Sequence, residues 1–457
     1  MRYDAIVIGS GQGGNPLAYK LAELDWSVAL VEEGPLGGTC INTGCTPTKT
    51  MIASAQVAHY ARSAARWGVR TGDVSVDLPA VVARKRKMVE SFRSGHEKRV
   101  RDHKSMCLYR AHGRFTGPHQ INADGGLLES DHIFIDTGTR TNLPAIEGLD
   151  SVPYLTNASI MELDVVPEHL LVIGGGYLGL EFGQMFRRFG SGVTVVHQGS
   201  CVLAREDEDV AGELQHILEG EEIRFLLNSH PVRVRDEGGR ITLMVETEGS
   251  RAQTLKGTHL LIATGRRPNT DALDLDRAGV AMDNGGYVKV NDRLETTAPG
   301  IWAIGDVKGG PAFTHISYND YQIVYGNLVE KKNLSIKNRI VPYSVFTDPQ
   351  LGRVGMTERQ ARDERRKLKV GKIPMTQVAR ALERDETVGL MKLVVDAATD
   401  KVLGAAILSS EGGELVQILS TLMLADQPYT LLKGAIYIHP TLAEGFFGLM
   451  DSVKPVD

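Results

Sequence analysis

Cysteine is scarce in this chain. Four occur in 457 residues, Cys40, Cys45, Cys107 and Cys201, and none follows Cys201. Four are too few to staple a secreted disulfide scaffold. Beyond the first pair no second pair stands ready to complete a tetrahedral zinc site, so no metal is expected. Long apolar runs are missing as well. No segment reads as a membrane span, and no basic stretch leading into an apolar core and cleavage site opens the chain. Neither sign of charge dominates: 51 Lys and Arg against 56 Asp and Glu leave a net charge of −5. That argues against a general attraction to nucleic acid or to a bilayer. A cytoplasmic home is expected, where a disulfide is more often catalytic than structural.

Glycine, by contrast, is plentiful, and two of its clusters follow short apolar runs. Ala5 to Ile8 suits a buried parallel strand, and it feeds Gly9-Ser10-Gly11-Gln12-Gly13-Gly14, a G-x-G-x-x-G turn. A helical pattern runs to about Asp25, then a second strand, Ser27 to Val31, ends at Glu32. Glycines at 9, 11 and 14 let a backbone approach a pyrophosphate, and a helix N-terminus supplies partial positive charge. Glu32, 18 residues past Gly14, stands where an acid binds ribose hydroxyls. Strand, turn, helix, strand and acid in register make a strong dinucleotide signature.

The same pattern returns. Leu170 to Ile173 leads into Gly174, Gly176 and Gly179, a helix to about Phe189 and a strand from Val193 to Val196. Two such folds suggest two nucleotides, one held and one exchanged. The second ends at His197 rather than at an acid. An acid there favours the free 2′-hydroxyl of NADH; without one a 2′-phosphate is not repelled, and Arg205 is a candidate phosphate partner. The reading leans slightly to NADPH over NADH. Two strands close on Thr-Gly, at Thr137-Gly138 and Thr264-Gly265, and a third, from Gly300, runs into Gly305-Asp306, an acid placed to meet a sugar-like chain.

Between the two folds lies Gly37-Gly38-Thr39-Cys40-Ile41-Asn42-Thr43-Gly44-Cys45-Thr46-Pro47-Thr48-Lys49. Cysteines at this spacing meet in one loop-to-helix turn. A short loop disulfide of this kind is readily reduced, so Cys40 and Cys45 read as a working redox pair. Helices are expected from Lys49 to about Trp67 and from Val81 to Lys104. The basic run Arg84 to Lys87, with Arg93, Lys98, Arg99 and Arg101, reads as a solvated helix face. Arg140 to Asp150 reads as a linker. From about Pro342 the composition changes: a hairpin over Leu390–Val395 and Val402–Leu408, an apolar helix from Glu411 to Ala425, then His439-Pro440-Thr441-Leu442-Ala443-Glu444, where a carboxylate can orient an imidazole. Cys107 and Cys201 read as bystanders.

With these motifs in order over nearly its whole length, the chain resembles the FAD-dependent pyridine nucleotide–disulfide oxidoreductases, which include glutathione reductase, lipoamide dehydrogenase and mercuric reductase. Asn42, Thr46 to Thr50 and Phe313 to Tyr321 are most similar to mercuric-reductase-like flavoproteins, the branch that includes enzymes acting against reactive chlorine species and hypothiocyanous acid. The resemblance implies an α/β fold with two Rossmann-like dinucleotide-binding domains and a C-terminal α+β dimerisation domain: FAD on 1–149, NAD(P) on 150–270, a return segment over 271–340 completing the FAD domain, and dimerisation on 341–457. It implies FAD and NADPH or NADH as cofactors, with Thr39, Lys49, Thr137, Gly138 and Asp306 at the first and Tyr177 and Gly265 at the second. By the same resemblance Tyr177 is expected to gate the nicotinamide pocket, and Lys49 to pair with Glu181. Electrons pass from NAD(P)H by way of FAD to the Cys40–Cys45 disulfide and on to a small disulfide or related electrophile. The resemblance further implies that Cys45 faces the flavin, that Cys40 meets substrate, and that His439, held by Glu444, moves the proton in the other subunit of a homodimer. No cysteine pair stands near the carboxy terminus and no metal-binding domain precedes the first strand, which argues against efficient Hg(II) reduction. Mercuric-reductase-like metal or quinone reduction and dihydrolipoamide oxidation are the alternatives.

Overall fold

A computed structural model describes residues 1–249 and 251–456. Two parallel five-stranded sheets carry the two glycine turns. In the first the spatial order is Ile301–Ala303, Ile133–Ile135, Ala5–Ile8, Val28–Val31 and Met106–Tyr109, all paired in parallel. In the second it is Ile223–Leu226, Gly192–Val196, His169–Ile173, His259–Ile262 and Tyr154–Leu155, again parallel. Central strands of both are buried along their length, as their unbroken Val, Ile and Leu runs require. The third unit is a six-stranded antiparallel sheet in the order Tyr343–Val345, Gln350–Gly355, Val402–Ser409, Leu390–Asp396, Leu368–Pro374, Lys454–Val456, with the apolar helix Gly412–Leu424 against it. The fold is the expected one, two dinucleotide-binding folds and a C-terminal α+β unit.

Local differences have local causes. The first helix, Gly14–Ala22, stops short of Asp25, whose φ of 63° is left-handed and breaks the helical path. The second strand starts at Val28. The next helix begins four residues before Lys49, at Cys45, and runs to Ser63, with a 3-10 turn over Ala64–Trp67. Pro47 sits in its first turn, where a missing N–H leaves no bond unmade. The long helix is Leu78–Asp102, N-capped by Asp77. Its basic run is only partly a solvated face: Lys85 is buried and pairs with Glu162, Arg84 donates to Thr50 O, and Arg93 turns toward Asn42. The segment 140–150 is not wholly a linker either. Thr139–Thr141 pairs antiparallel with Arg266–Pro268, so the chain's outward and return passages between the two parallel sheets lie side by side. Sheets over 113–129 and 229–257 were not anticipated.

Candidate active site

The first glycine turn, the Cys45 helix and the third unit enclose one cavity of about 950 Å³. Its wall includes Gly9, Gly11, Glu32, Thr39, Cys40, Cys45, Lys49, Thr137, Gly138, Tyr177, Glu181 and Asp306. The cradle demands glycine: a Cβ on Gly9 would lie 2.3 Å from Asp136 O, and one on Gly11 2.7 Å from Asp136 Oδ2. Asp136 accepts from Gly14 N at 2.7 Å. Burial pushes its carboxyl well above the usual range. Glu32 takes Ser10 N at 2.9 Å and Gly34 N at 2.8 Å, which fixes the acid at the rim of the turn. Asp306 accepts from Thr139 Oγ1 at 3.0 Å, and burial raises its carboxyl also. A glycine floor, a helix N-terminus and acids at the sugar positions fit a dinucleotide such as FAD.

Cys40 and Cys45 meet as free thiols. Cys45 is the first residue of its helix, so its sulfur sits at the positive end of the helix dipole. The hydrogen bond from Cys40 is the largest cause that holds the Cys45 thiol down, to about 6; burial opposes it, and Thr314 and Lys49 add to it. Thr314 Oγ1 is 3.2 Å from Cys45 Sγ. Cys40 is pushed far up, first by that same shared hydrogen bond and then by burial. The pair thus divides one proton unequally: thiolate at Cys45, thiol at Cys40.

Lys49 Nζ donates to Glu181 Oε2 at 2.7 Å and lies 4.6 Å from the centre of the Phe346 ring, and Phe346 N donates to Glu181 Oε1 at 2.9 Å. His439 Nδ1 is 3.1 Å from both oxygens of Glu444, which also accepts from Thr441 N at 3.0 Å. The Thr441 N–H, then the imidazole, hold the Glu444 carboxyl below its usual range. His439 is exposed and lines no part of the cavity of its own chain. Around it Ile436 is fully exposed and Ile438 is 80 % exposed.

The second glycine turn lies apart. Gly174, Gly176, Gly179, His197, Arg205 and Gly265 do not line the cavity; Tyr177 does. His197 Nδ1 accepts from Gly175 N at 3.2 Å, the counterpart of the bond Glu32 takes from Ser10 N. The imidazole does the acid's backbone work without its charge, and burial keeps it neutral. Arg205 is exposed and forms no pair with Glu206, which binds Arg353, or with Asp207, which binds Lys392. Cys107 and Cys201 lie outside the cavity wall.

Sequence reasoning passed over Thr314, although it lies within the stretch Phe313 to Tyr321, and Asp136, one residue before Thr137. It singled out Asn42 but not what Asn42 holds: Nδ2 donates to Gly38 O and Leu36 O while Oδ1 accepts from Arg93 Nε at 3.0 Å. A charged residue 51 positions away leaves no spacing to read.

Residues 3–320 match the family model described as pyridine nucleotide-disulphide oxidoreductase, and residues 341–448 match the dimerisation domain of the same family. The chain is 36 % identical over 461 residues to the probable pyridine nucleotide-disulfide oxidoreductase RclA of Escherichia coli, covering 99 % of this chain and 100 % of that one. It is 32 % identical to a mercuric reductase of Lysinibacillus sphaericus (97 % and 81 % covered) and 34 % to mitochondrial dihydrolipoyl dehydrogenase 1 of Arabidopsis thaliana (96 % and 88 %). The solved structure of the HOCl-induced flavoprotein disulfide reductase RclA from Escherichia coli superposes with a TM-score of 0.90 at 36 % identity, covering 99 % and 100 %. Motif order, paired thiols, two dinucleotide folds and matches over almost the full length agree: the chain belongs to the pyridine nucleotide-disulphide oxidoreductases.

Proposed function

We propose that this FAD-dependent, NAD(P)H-consuming enzyme reduces a small disulfide or related sulfur electrophile at Cys40, as a cytoplasmic homodimer in which each site is completed by His439 and Glu444 of the other chain. The observation that carries the reading is the unequal thiol pair. Cys45, held near 6, is the standing thiolate on the cavity wall. Cys40, held protonated, needs a base before it can attack. His439 is that base: Glu444 on Nδ1 leaves Nε2 free to take the Cys40 proton and return it to the leaving thiol. FAD, when bound, supplies the two-electron relay between nicotinamide and disulfide. Gly9, Gly11, Gly14, Glu32, Thr39, Thr137, Gly138 and Asp306 hold it, Lys49 with Glu181 sets the charge beside it, and Tyr177 covers the nicotinamide face. Gly174, Gly176, Gly179, His197, Arg205 and Gly265 take the nicotinamide nucleotide, with NADPH favoured.

The same reading divides the chain at 149/150, 270/271 and 340/341. The return of Ile301–Ala303 to the first sheet supports assigning 271–340 to the FAD domain. Exposed Ile436, Ile438, Leu424 and Leu431 support burial of the third unit's face against a second copy. Among the described residues no helix is long and apolar enough to cross a membrane.

Anaerobic titration with NADPH and NADH, followed by a panel of disulfides, hypothiocyanous acid, Cu(II) and Hg(II), tests the proposal. Disulfide turnover lost in Cys40→Ser supports it; disulfide turnover kept in Cys40→Ser overturns it. A second reading, reduction of a metal ion by electrons that leave without disulfide exchange, draws on the solved Cu(II) complexes of RclA from Escherichia coli and of one of its cysteine-to-serine variants. It expects metal-dependent NAD(P)H oxidation that survives Cys40→Ser.

A further inference from the structure

The loop Leu203 to Asp207, which follows the strand Gly192–Val196, touches both ends of the region assigned above to the nicotinamide nucleotide. At one end Leu203 N donates to Gly175 O at 3.0 Å, inside the second glycine turn, and the exposed Arg205 follows. At the other end Glu206 is buried, 3 % exposed, against the third unit. Its Oε1 accepts from the Tyr343 hydroxyl and its Oε2 pairs with Arg353, itself 2 % exposed. Tyr343 and Arg353 are cross-strand partners, so one strand pair presents both groups to one carboxylate. Arg353 Nη1 also donates to Ala405 O. The loop is tied further by Arg359 Nη2 to Ala204 O at 2.7 Å and by Asp207, which accepts from Glu358 N and Arg359 N at 3.0 Å each.

Tyr343 faces the cavity as well. Its ring stacks on Phe313 at 5.2 Å and 11° between planes, and Phe313 lies 6.3 Å from Tyr177. Tyr177, Phe313 and Tyr343 all line the cavity wall. Phe313 caps the helix Thr314–Leu328, whose first residue holds Cys45. One hydroxyl therefore joins the glycine-turn loop to the aromatic wall beside the nicotinamide gate. Burial, with the Glu206 charge second, keeps that hydroxyl protonated and donating. A neutral donor on a buried carboxylate is a strong, directional tie.

We propose that Tyr343 is a positioning residue for the nicotinamide nucleotide: through Glu206 it fixes the loop that meets the adenosine end relative to the wall that meets the nicotinamide end. The inference rests on the assignment of the second fold to NAD(P)H. With both surfaces held at a fixed spacing, less order is lost when the nucleotide binds across them. Tyr343→Phe keeps the ring stack and removes only the tie; Glu206→Gln keeps an acceptor for the hydroxyl and removes the charge. In the flavin-loaded dimer, Tyr343→Phe is expected to raise KM for the nicotinamide nucleotide about tenfold with kcat within about twofold, and to weaken calorimetric binding of the oxidised nucleotide by the same factor. Glu206→Gln is expected to move both in the same direction by less, and the double variant to be no worse than Tyr343→Phe. Should Tyr343→Phe lose its flavin, Glu206→Gln carries the same two measurements. Unchanged KM and binding, or a fall in kcat with nucleotide affinity intact, overturns the proposal. Wild-type protein that binds neither nucleotide overturns the assignment of the second fold instead.

Discussion

The Cys45 thiol is held by groups of different kinds: the Cys40 thiol, the Thr314 hydroxyl, the Lys49 ammonium and a helix N-terminus. Because it titrates near 6 in the folded chain and at 9.0 when free, its thiolate stabilises the reduced protein fully above pH 9, and that contribution fades as pH falls through about 6. Ultraviolet absorbance of the reduced protein is expected to report one thiolate appearing near pH 6. Thr314→Val removes one hydrogen bond to a charged sulfur and should move that midpoint up by about one unit, as the same titration would read. Lys49→Met leaves the Glu181 carboxylate, 1 % exposed, with only the Phe346 N–H. The partly exposed lysine limits the loss, which should come to about 2 kcal/mol in chemical denaturation. How far such residues were legible depends on how they are held. Cys40, Cys45 and His439 declare themselves by local spacing. Thr314 and Arg93 do not, because they reach the redox loop from 269 and 51 residues away through side chains alone.

Among elements, the two glycine turns repeat each other down to one backbone bond, Ser10 N to Glu32 in the first and Gly175 N to His197 in the second. The strand, turn and helix were readable because glycine spacing and apolar runs are local signals. The swap of acid for imidazole was readable as a residue, but its bond to the turn was not. His197→Glu restores a charge at that place and should shift the NADH-to-NADPH ratio of kcat/KM toward NADH by about tenfold, measured side by side in steady state. Helix ends were less legible than helices: the first helix stops at Ala22, short of Asp25, whose left-handed φ breaks the path. The basic run on Leu78–Asp102 misled in the same way, since Lys85 and Arg93 find partners supplied by distant chain.

At the scale of the whole molecule, His439 lines no part of the cavity of its own chain and stands among exposed isoleucines. Chains carrying Cys40→Ser and chains carrying His439→Ala, each inactive alone, should regain about a quarter of wild-type disulfide turnover when unfolded and refolded together in equal amounts, because half the dimers then hold one intact site of two. No recovery would place the imidazole in its own chain's site. The third unit was expected to be a separate packing domain from its change in composition; the sheets over 113–129 and 229–257 were passed over, although Ile241–Thr247 alternates buried with less buried residues. The antiparallel pairing of Thr139–Thr141 with Arg266–Pro268 has one more consequence. Everything between those two strands leaves and re-enters through a single doorway, so it forms a cassette that could be exchanged for another without rethreading the rest. The doorway is not inert, for Arg266 bonds Thr139 and Thr139 bonds Asp306; any transplant that disturbs those two strands would be felt first at Asp306, on the wall of the cavity.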